Sequence, residues 1–253
     1  MNASASTSSS HATADWLSGL VDAAAAPYRQ AGRFAWHFAR GKLAGDPAFA
    51  RLLQLGLIPG RARVLDLGCG QGLLASWLLA AQRAHAAGNW PQAWPAPPQT
   101  TALHGIELLA RDVSRANAAL GATTHFERGD IRSTPFGNAD AVVILDVLHD
   151  IDRPAQDAVL RRAGEALTPG GVLLLRVGDA AAGLPFHISN WVDFLVTRAR
   201  GHHTAHLYCR TLEEWMQALR ALGFTVKPML MSQGTPFANV LLVATINAPE
   251  SPF

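Results

Sequence analysis

The sequence predicts an α/β fold, built as an open and mostly parallel seven-stranded sheet with helices on both faces. Short β-type runs alternate with helix-period segments from residue 60 to the C-terminus. One run, 139–146 (ADAVVILD), is almost continuously apolar, as a strand buried on both faces requires. A glycine-rich turn at 68–72 follows the strand-like run 63–67, at the end of the sheet where such folds bind ligands.

The elements follow from the pattern in chain order. Strands are predicted over 63–67, 103–107, 123–127, 139–146, 172–177, 224–231 and 239–246. Between them, helices are predicted from Leu73, over 110–119, from Pro154 and from Leu212. The last of these begins with a capping box at Thr211 and Glu214, and Gly223 is its predicted C-terminal cap.

The chain is predicted to form one domain over 13–253, after a disordered tail at 1–12 that has almost nothing to bury. Residues 13–59 are helical in pattern and form a cap ahead of the sheet. The Pro- and Trp-rich stretch 84–101 is predicted as a loop insertion. A second insertion, 180–210, is predicted to be a substrate lid, because insertions at sheet loops often cover ligand sites.

The composition excludes several classes of function. The 253 residues are 49% hydrophobic and 16% charged, and 21 basic against 19 acidic side chains leave a formal charge of +2. That balance does not suit nucleic-acid binding, and two cysteines cannot build a disulfide framework. No apolar run reaches the roughly 20 residues that insertion into a membrane requires, and the N-terminus lacks a secretory pattern. We therefore expect a cytoplasmic protein.

The run VLDLGCGQG, residues 64–72, is the strongest indication of a ligand-binding loop. Asp66 lies near the end of a strand, and Gly68, Gly70 and Gly72 let the backbone turn sharply and approach a ligand. A dinucleotide loop would place glycine at position 73, where the chain has Leu73, and a phosphate-loop Lys is also missing. An acid at this place suits a cationic ligand better than a pyrophosphate. Tight strand-to-helix packing alone is the alternative interpretation.

From about residue 60 onward the chain resembles the class I S-adenosylmethionine-dependent methyltransferases. VLDLGCGQG looks like their first motif, and the later landmarks LHGIE, GDI, DVLH and LTPGG follow in the same order. The resemblance implies a Rossmann-like sheet with an antiparallel last strand inserted between the fifth and sixth. One departure is that Asp66 and Glu107 lie 41 positions apart, against ~20 usual between such positions. The 84–101 loop accounts for the excess.

The resemblance also implies the residues that hold S-adenosylmethionine. Glu107 would accept both ribose hydroxyls, Asp130 would accept the adenine amine, and the Ile131 amide would meet a ring nitrogen. Asp66 and the glycine loop would hold the methionine end. A solvated acid at a strand end is the alternative for Glu107 and Asp130. The full predicted set is Asp66, Gly68, Cys69, Gly70, Gly72, Glu107, Leu108, Asp130, Ile131 and Asp146.

His149, at the exit of the fourth predicted strand, is the predicted general base, because imidazole exchanges protons readily near neutral pH. The alternative is a histidine that only packs at a helix start, and Asp150 would either orient the imidazole or cap the helix. No metal site is predicted; the cluster of His202, His203 and His206 lacks a set of cysteine or carboxylate partners. Arg176 and Asp179 would hold a substrate or pair with each other.

The N-terminal segment offers further candidates, with plain surface or core roles as alternatives. Arg40 or Lys42 would reach the methionine carboxylate, and four aromatic residues would line a small-molecule pocket: Trp36, Phe38, Trp191 and Phe194. Beyond the cofactor landmarks, the chain also looks like methyltransferases found beside the enzymes that build bacterial aryl polyene pigments. That likeness implies a hydroxylated aromatic substrate or a polyene on an acyl carrier protein. The alternatives are a methyltransferase of protein or RNA, and a non-catalytic protein of this fold.

Overall fold

All seven predicted strands are present in the structure, a computed structural model that describes residues 3–178, 180, 207–231 and 239–246. Their bounds are β1 Arg61–Leu67, β2 Gln99–Glu107, β3 His125–Arg128, β4 Ala139–Leu145, β5 Leu167–Gly178, β6 Phe224–Leu230 and β7 Asn239–Ile246. They form one sheet in the order β3-β2-β1-β4-β5-β7-β6. The neighbours β2/β3, β1/β4 and β4/β5 are parallel, while β7 runs antiparallel to both β5 and β6. The predicted fold class, including the inserted antiparallel strand, is confirmed.

Seven α-helices lie within the described residues: α1 Ala3–Ala25, α2 Arg33–Gly45, α3 Pro47–Gln54, α4 Leu73–Ala86, α5 Ala110–Leu120, α6 Arg153–Ala166 and α7 Leu212–Ala221. Short 3-10 helices occupy Ala26–Arg29 and Leu148–Asp150. The capping box predicted for α7 is present, with Thr211 and Glu214 bonded reciprocally. Among these helices, none has the length and apolarity that crossing a bilayer demands.

The chain divides into two compact units. The first contains residues up to Ala62 together with Cys69–Arg128, and the second contains Arg63–Gly68 and the residues from Gly129 onward. In the second unit, the centre of β4 is completely buried over 141–144, as its apolar run predicted. The single domain over 13–253 stays a prediction.

In the first unit, the N-terminal helices pack on α4 through hydrogen bonds made by buried side chains. The Ser76 hydroxyl donates to the Ala24 carbonyl at 2.6 Å, and the Trp77 indole donates to the Phe49 carbonyl at 2.8 Å. Both donors are buried, so each bond satisfies a group that would otherwise be costly to remove from water. The segment predicted as a helical cap is therefore integrated into this unit's core.

Two predicted boundaries differ from the structure. The tail predicted as disordered lies in α1, which begins at Ala3; once the buried part of a helix has formed, each added residue gains a hydrogen bond without a new nucleation cost. The predicted 84–101 loop is shorter, because α4 continues to Ala86 and β2 begins at Gln99. The loop is anchored to α1, where the rings of Trp16, Trp90 and Trp94 meet edge to face.

Most of the predicted lid at 180–210 lies outside the described residues, apart from residue 180 and 207–210. The described end of this segment belongs to the second unit. There the Tyr208 amide donates to the His149 carbonyl at 2.8 Å. The lid function stays a prediction.

Candidate functional site

The glycine loop in the first unit is fitted closely to its surroundings. Gly72 caps α4 with a positive φ of 78°, and a Cβ at this position would lie 2.6 Å from the Phe126 ring. A side chain here would meet both a strained backbone and a steric clash. Cys69 is buried, and its amide donates to the Ile106 carbonyl on β2 at 3.2 Å. The loop is therefore held against the end of β2.

Glu107, the last residue of β2, joins the glycine loop to the start of the next helix. Its Oε2 accepts from the Gly70 amide and its Oε1 from the Leu109 amide, each at 2.9 Å. The residue is 7% exposed. A carboxylate has about four acceptor positions, so two remain for the vicinal hydroxyls of a ribose. The arrangement fits the predicted role. Leu108 beside it is an exposed large apolar side chain, suited to cover an apolar ligand face.

Two residues that the sequence pattern did not indicate support the loop from the N-terminal segment. The buried Tyr28 hydroxyl donates to the Gln71 carbonyl at 2.8 Å, and the Gln71 side-chain amide donates to the Ala35 carbonyl at 3.0 Å. Gln71 is only 1% exposed. The loop is thus held by hydrogen bonds to both β2 and the N-terminal helical segment.

In the second unit, Asp66 is buried near the end of β1 and lies in register with Val143 of β4. Gly68 follows with a positive φ of 72°, and a Cβ there would lie 2.3 Å from a Val147 methyl group. The backbone approaches Val147 so closely that only glycine fits. The position predicted as the first glycine of the motif is therefore required by geometry in this unit.

Asp130 is engaged by a neighbour that the prediction did not consider. The Arg132 guanidinium donates to both carboxylate oxygens at 2.6–3.0 Å, and the Arg132 amide donates to Oδ1 at 2.9 Å. The Arg132 side chain holds the pKa of the Asp130 carboxyl below its ordinary value. Asp130 therefore stays ionised as an acceptor, but a ligand amine would share it with Arg132. Ile131 is buried, and its carbonyl accepts from Arg162 at 2.7 Å.

Asp146 comes directly after β4 and has a positive φ of 57°. It is the only described residue other than glycine with a positive φ. Its carboxylate accepts from Nε of Arg176 at 2.8 Å and from a second guanidinium nitrogen of the same residue. Arg176 is 2% exposed. Of the two roles predicted for Arg176, the structure contains an internal ion pair, and its partner is Asp146. Asp179 lies outside the described residues.

His149 lies in the 3-10 helix Leu148–Asp150, which is fixed by the side chain of a buried glutamine. Gln156 donates to the carbonyls of Leu148, Ile151 and Tyr208 at 2.7–3.0 Å and accepts from the Arg210 guanidinium at 2.7 Å. The helix is therefore held at both ends. Gln156 itself is completely buried on α6.

The imidazole of His149 has a carboxylate neighbour. Its Nε2 lies 3.8 Å from Oδ1 of Asp150, too long for a hydrogen bond. That oxygen is buried and has no hydrogen-bond partner among the described residues. A small rotation of the His149 ring would let this oxygen accept a hydrogen bond from a protonated ring nitrogen.

The strand order, the glycine loop with Glu107 in the first unit, and the acidic residues of the second unit all agree with one family. The chain matches the methyltransferase domain family over residues 35–228, more than half of its length. The chain belongs to this family. Its sheet is that of the class I S-adenosylmethionine-dependent methyltransferases, with an antiparallel strand next to the last position.

Curated relatives of this chain align over part of their length. Carboxy-S-adenosyl-L-methionine synthase of Chromohalobacter salexigens is 32% identical over 140 residues, 51% of this chain and 47% of that protein. A ubiquinone biosynthesis O-methyltransferase of Xanthomonas oryzae pv. oryzae is 26% identical over 159 residues, 62% of this chain and 61% of that one. The aligned region spans about half to three fifths of these relatives.

Solved structures share the fold of this chain at low identity. An O-methyltransferase family protein from Burkholderia thailandensis superposes with a TM-score of 0.59 at 20% identity, over 88% of this chain and 63% of that one. Magnesium protoporphyrin IX methyltransferase of Synechocystis PCC 6803, solved with bound SAH, gives a TM-score of 0.55 at 20% identity, over 85% and 88%. At this identity the likeness establishes the fold.

The remaining candidates of the N-terminal segment make local contacts. Arg40 pairs with Asp22 at 2.6 Å and Lys42 with Asp46 at 2.8 Å. These ion pairs agree with the alternative interpretation of a helix surface, since each cation has an acid beside it. Trp36 lies under the Arg29 guanidinium at 5.1 Å, and Phe38 stacks on Phe34 at 6.1 Å. Five other candidates lie outside the described residues: Trp191, Phe194, His202, His203 and His206.

Sequence reasoning missed the residues that hold the predicted ones in place. Gln156 could have been found, because it is a polar residue on the face of α6 that buries Val159, Leu160 and Ala163. Such a position favours a buried hydrogen-bonding role. Tyr28 carried no such signal, since its partner is a backbone carbonyl 43 positions away.

Proposed function

We propose that the protein transfers a methyl group from S-adenosylmethionine to a small hydroxylated aromatic substrate, either free or as a polyene on an acyl carrier protein. The observation that carries the proposal is the Glu107 carboxylate, buried at the end of β2 and held by the amides of Gly70 and Leu109. An acceptor fixed in this way suits the two hydroxyls of a nucleoside ribose. Family membership and the names of the O-methyltransferase relatives support the choice of reaction.

The proposed cofactor residues divide by the chemistry they offer. Glu107 binds the ribose and Leu108 covers the adenine, whose amine is accepted by Asp130 with the Ile131 amide at a ring nitrogen. The glycine loop and Asp66 bind the methionine end, and Asp146 supports that region through its ion pair with Arg176. When bound, S-adenosylmethionine supplies a methyl group activated by a sulfonium. The residues of this chain bind it, orient it and exclude water.

His149 is the proposed general base. It would take the proton from a substrate hydroxyl, and Asp150 would accept a hydrogen bond from the resulting imidazolium, because the unpaired Asp150 oxygen lies 3.8 Å away. The Gln156 hydrogen bonds keep the short helix, and with it His149, in one place. The residues of the 180–210 segment are proposed to cover the substrate.

The proposed substrate class is based on the likeness to methyltransferases of aryl polyene biosynthesis. A labelling assay tests it directly. Purified protein is incubated with methyl-labelled S-adenosylmethionine and a panel of hydroxylated aromatic acids, free or as thioesters on a carrier protein. We expect label in a methyl ether, and its loss in a His149→Gln variant. Label found only in protein or RNA, or cofactor bound with no product formed, would overturn the proposal in favour of one of the other two functions.

A second candidate function is suggested by the carboxy-S-adenosyl-L-methionine synthase, which is 32% identical to this chain over the aligned residues. In that case the cofactor itself would be the product. Mass spectrometry distinguishes the two outcomes when a carboxylic acid is added to the same reactions as a carboxyl donor. The acceptor gains one CH2 in the first case; in the second, the methyl group of the cofactor exchanges one hydrogen for the carboxyl group that the added acid loses.

A further inference from the structure

Two histidines and a glutamate converge on one face of the sheet's edge, in the first unit. His104 belongs to β2, and His125 and Glu127 belong to β3, the end strand of the sheet. His104 lies in register with His125, and Glu127 is two residues further on. Because side chains alternate along a strand, His125 and Glu127 point to the same face.

The distances between these side chains are short. Nε2 of His104 and Oε1 of Glu127 are 2.9 Å apart, and the two imidazole rings have centroids 4.9 Å apart. One ligand atom from each residue can be chosen so that all three lie within 4.8 Å of one another. In the part of the chain that the structure describes, this is the only such trio of histidine, cysteine or acidic side chains.

This face of the sheet edge is open to solvent. His125 is exposed, and the side chains of His104 and Glu127 are 27% and 37% exposed. On the opposite face, Phe126 is buried. An ion can therefore reach the trio without any opening of the core.

We infer that His104, His125 and Glu127 form a binding site for a divalent transition-metal ion such as Zn²⁺. Imidazole nitrogen with one carboxylate oxygen suits Zn²⁺ and its neighbours, whereas Mg²⁺ and Ca²⁺ prefer oxygen ligands alone. Zinc bonds of ~2.1 Å place tetrahedral ligands roughly 3.3 Å apart. Exposed side chains reach that spacing from 4.8 Å by rotations about their own bonds. Water completes the coordination.

The bound ion would join β2 to β3 through side chains as well as through the backbone. β3 has only four residues, and among the described strands it pairs on one side only, with β2. An edge strand of this kind leaves half of its backbone groups without a strand partner. The ligands come from two strands, so the site exists only in the folded chain and metal binding stabilises that state. The site lies three residues before Glu107 on β2, but the inference does not depend on the proposed methyl transfer.

The test uses the metal-free full chain and titration with Zn²⁺, followed by calorimetry and by thermal unfolding. We expect one ion bound per chain through this site and a higher unfolding midpoint with Zn²⁺ but not with Mg²⁺. His125→Gln should weaken Zn²⁺ binding more than about tenfold and remove the rise in the midpoint. Since His125 is exposed, this variant should fold like the parent.

His85→Gln is the matched control, because it removes an exposed histidine of α4 that is not in the trio. It should bind Zn²⁺ as the parent does. Co²⁺ added in place of Zn²⁺ should give a visible absorption band in the parent and in His85→Gln, but not in His125→Gln. The inference is overturned if the parent binds no Zn²⁺, if His125→Gln binds it unchanged, or if both variants lose binding equally.

Discussion

Replacing Glu107 by glutamine tests the proposed cofactor site most directly. The carboxylate accepts two amide hydrogen bonds of 2.9 Å in a buried position. Glutamine keeps one acceptor oxygen but presents an NH2 group to the other amide, so one bond is lost and two donors face each other. Hydrogen bonds to charged groups contribute roughly 1.5–3 kcal/mol. We expect the free energy of unfolding to fall by about 2–3 kcal/mol, measured by urea denaturation.

The affinity for S-adenosylmethionine should fall as well, because glutamine has one acceptor fewer for the ribose hydroxyls. Loss of one or two such bonds corresponds to about 1–3 kcal/mol, or roughly a 5- to 150-fold higher dissociation constant. Isothermal titration with S-adenosylmethionine and with its demethylated product measures this directly. Both compounds carry the same ribose, so both affinities should fall alike.

A control separates ligand binding from support of the loop. Tyr28→Phe removes the hydroxyl that donates to the Gln71 carbonyl, and it should cost about 1 kcal/mol of stability. It loosens the glycine loop without changing a proposed ligand contact. Wild-type affinity in Glu107→Gln would refute the ribose role. Equal loss of affinity in both variants would show that Glu107 acts only by bracing the loop.

Three further predictions concern the second unit. His149→Gln should lower turnover at least ~100-fold with little change in cofactor affinity, measured by steady-state kinetics and calorimetry; unchanged turnover would leave His149 a packing residue. Gln156→Leu should destabilise the fold by about 3 kcal/mol, because three carbonyls and the Arg210 guanidinium each lose one hydrogen bond. A smaller loss than for an exposed Gln217→Leu change would contradict this. Arg63 lowers the pKa of the Asp140 carboxyl, so this pair should contribute its stability above about pH 4 and lose it as the pH falls further. In Asp140→Asn that acid-dependent part should be missing from urea unfolding curves; an unaltered pH profile would speak against it.

Much of the fold was predictable because its signals are local. The apolar run of β4, the capping box of α7 and the breakers between elements each act over a few residues, and the observed bounds agree with them closely. The departures occur where packing extends or shortens an element. Residues 84–86 continue α4, and the Gln82 side chain bonds the Pro98 carbonyl at 2.7 Å, which draws the loop back toward the helix.

The candidate site was predictable in its positions but not in its contacts. Sequence order placed Glu107 at the end of a strand, yet its bond to the Gly70 amide joins residues 37 positions apart. Asp130 was assigned to a ligand, and the structure adds Arg132 as a partner. The Asp130–Arg132 spacing is short enough to have suggested that pair, whereas nothing local indicated Tyr28 as a support of the loop.

By itself, the sequence determined which segments form strands and where the glycine loop lies, because apolar periodicity and glycine at obligatory positions act through neighbouring residues. The family was indicated by the resemblance of the sequence motifs. Only the tertiary structure decided which distant side chains meet. His104 and His125 stand 21 positions apart in the sequence and become neighbours through the parallel register of β2 and β3. Register depends on the packing of the whole sheet, so a cluster built across strands leaves no mark in the order of residues along the chain.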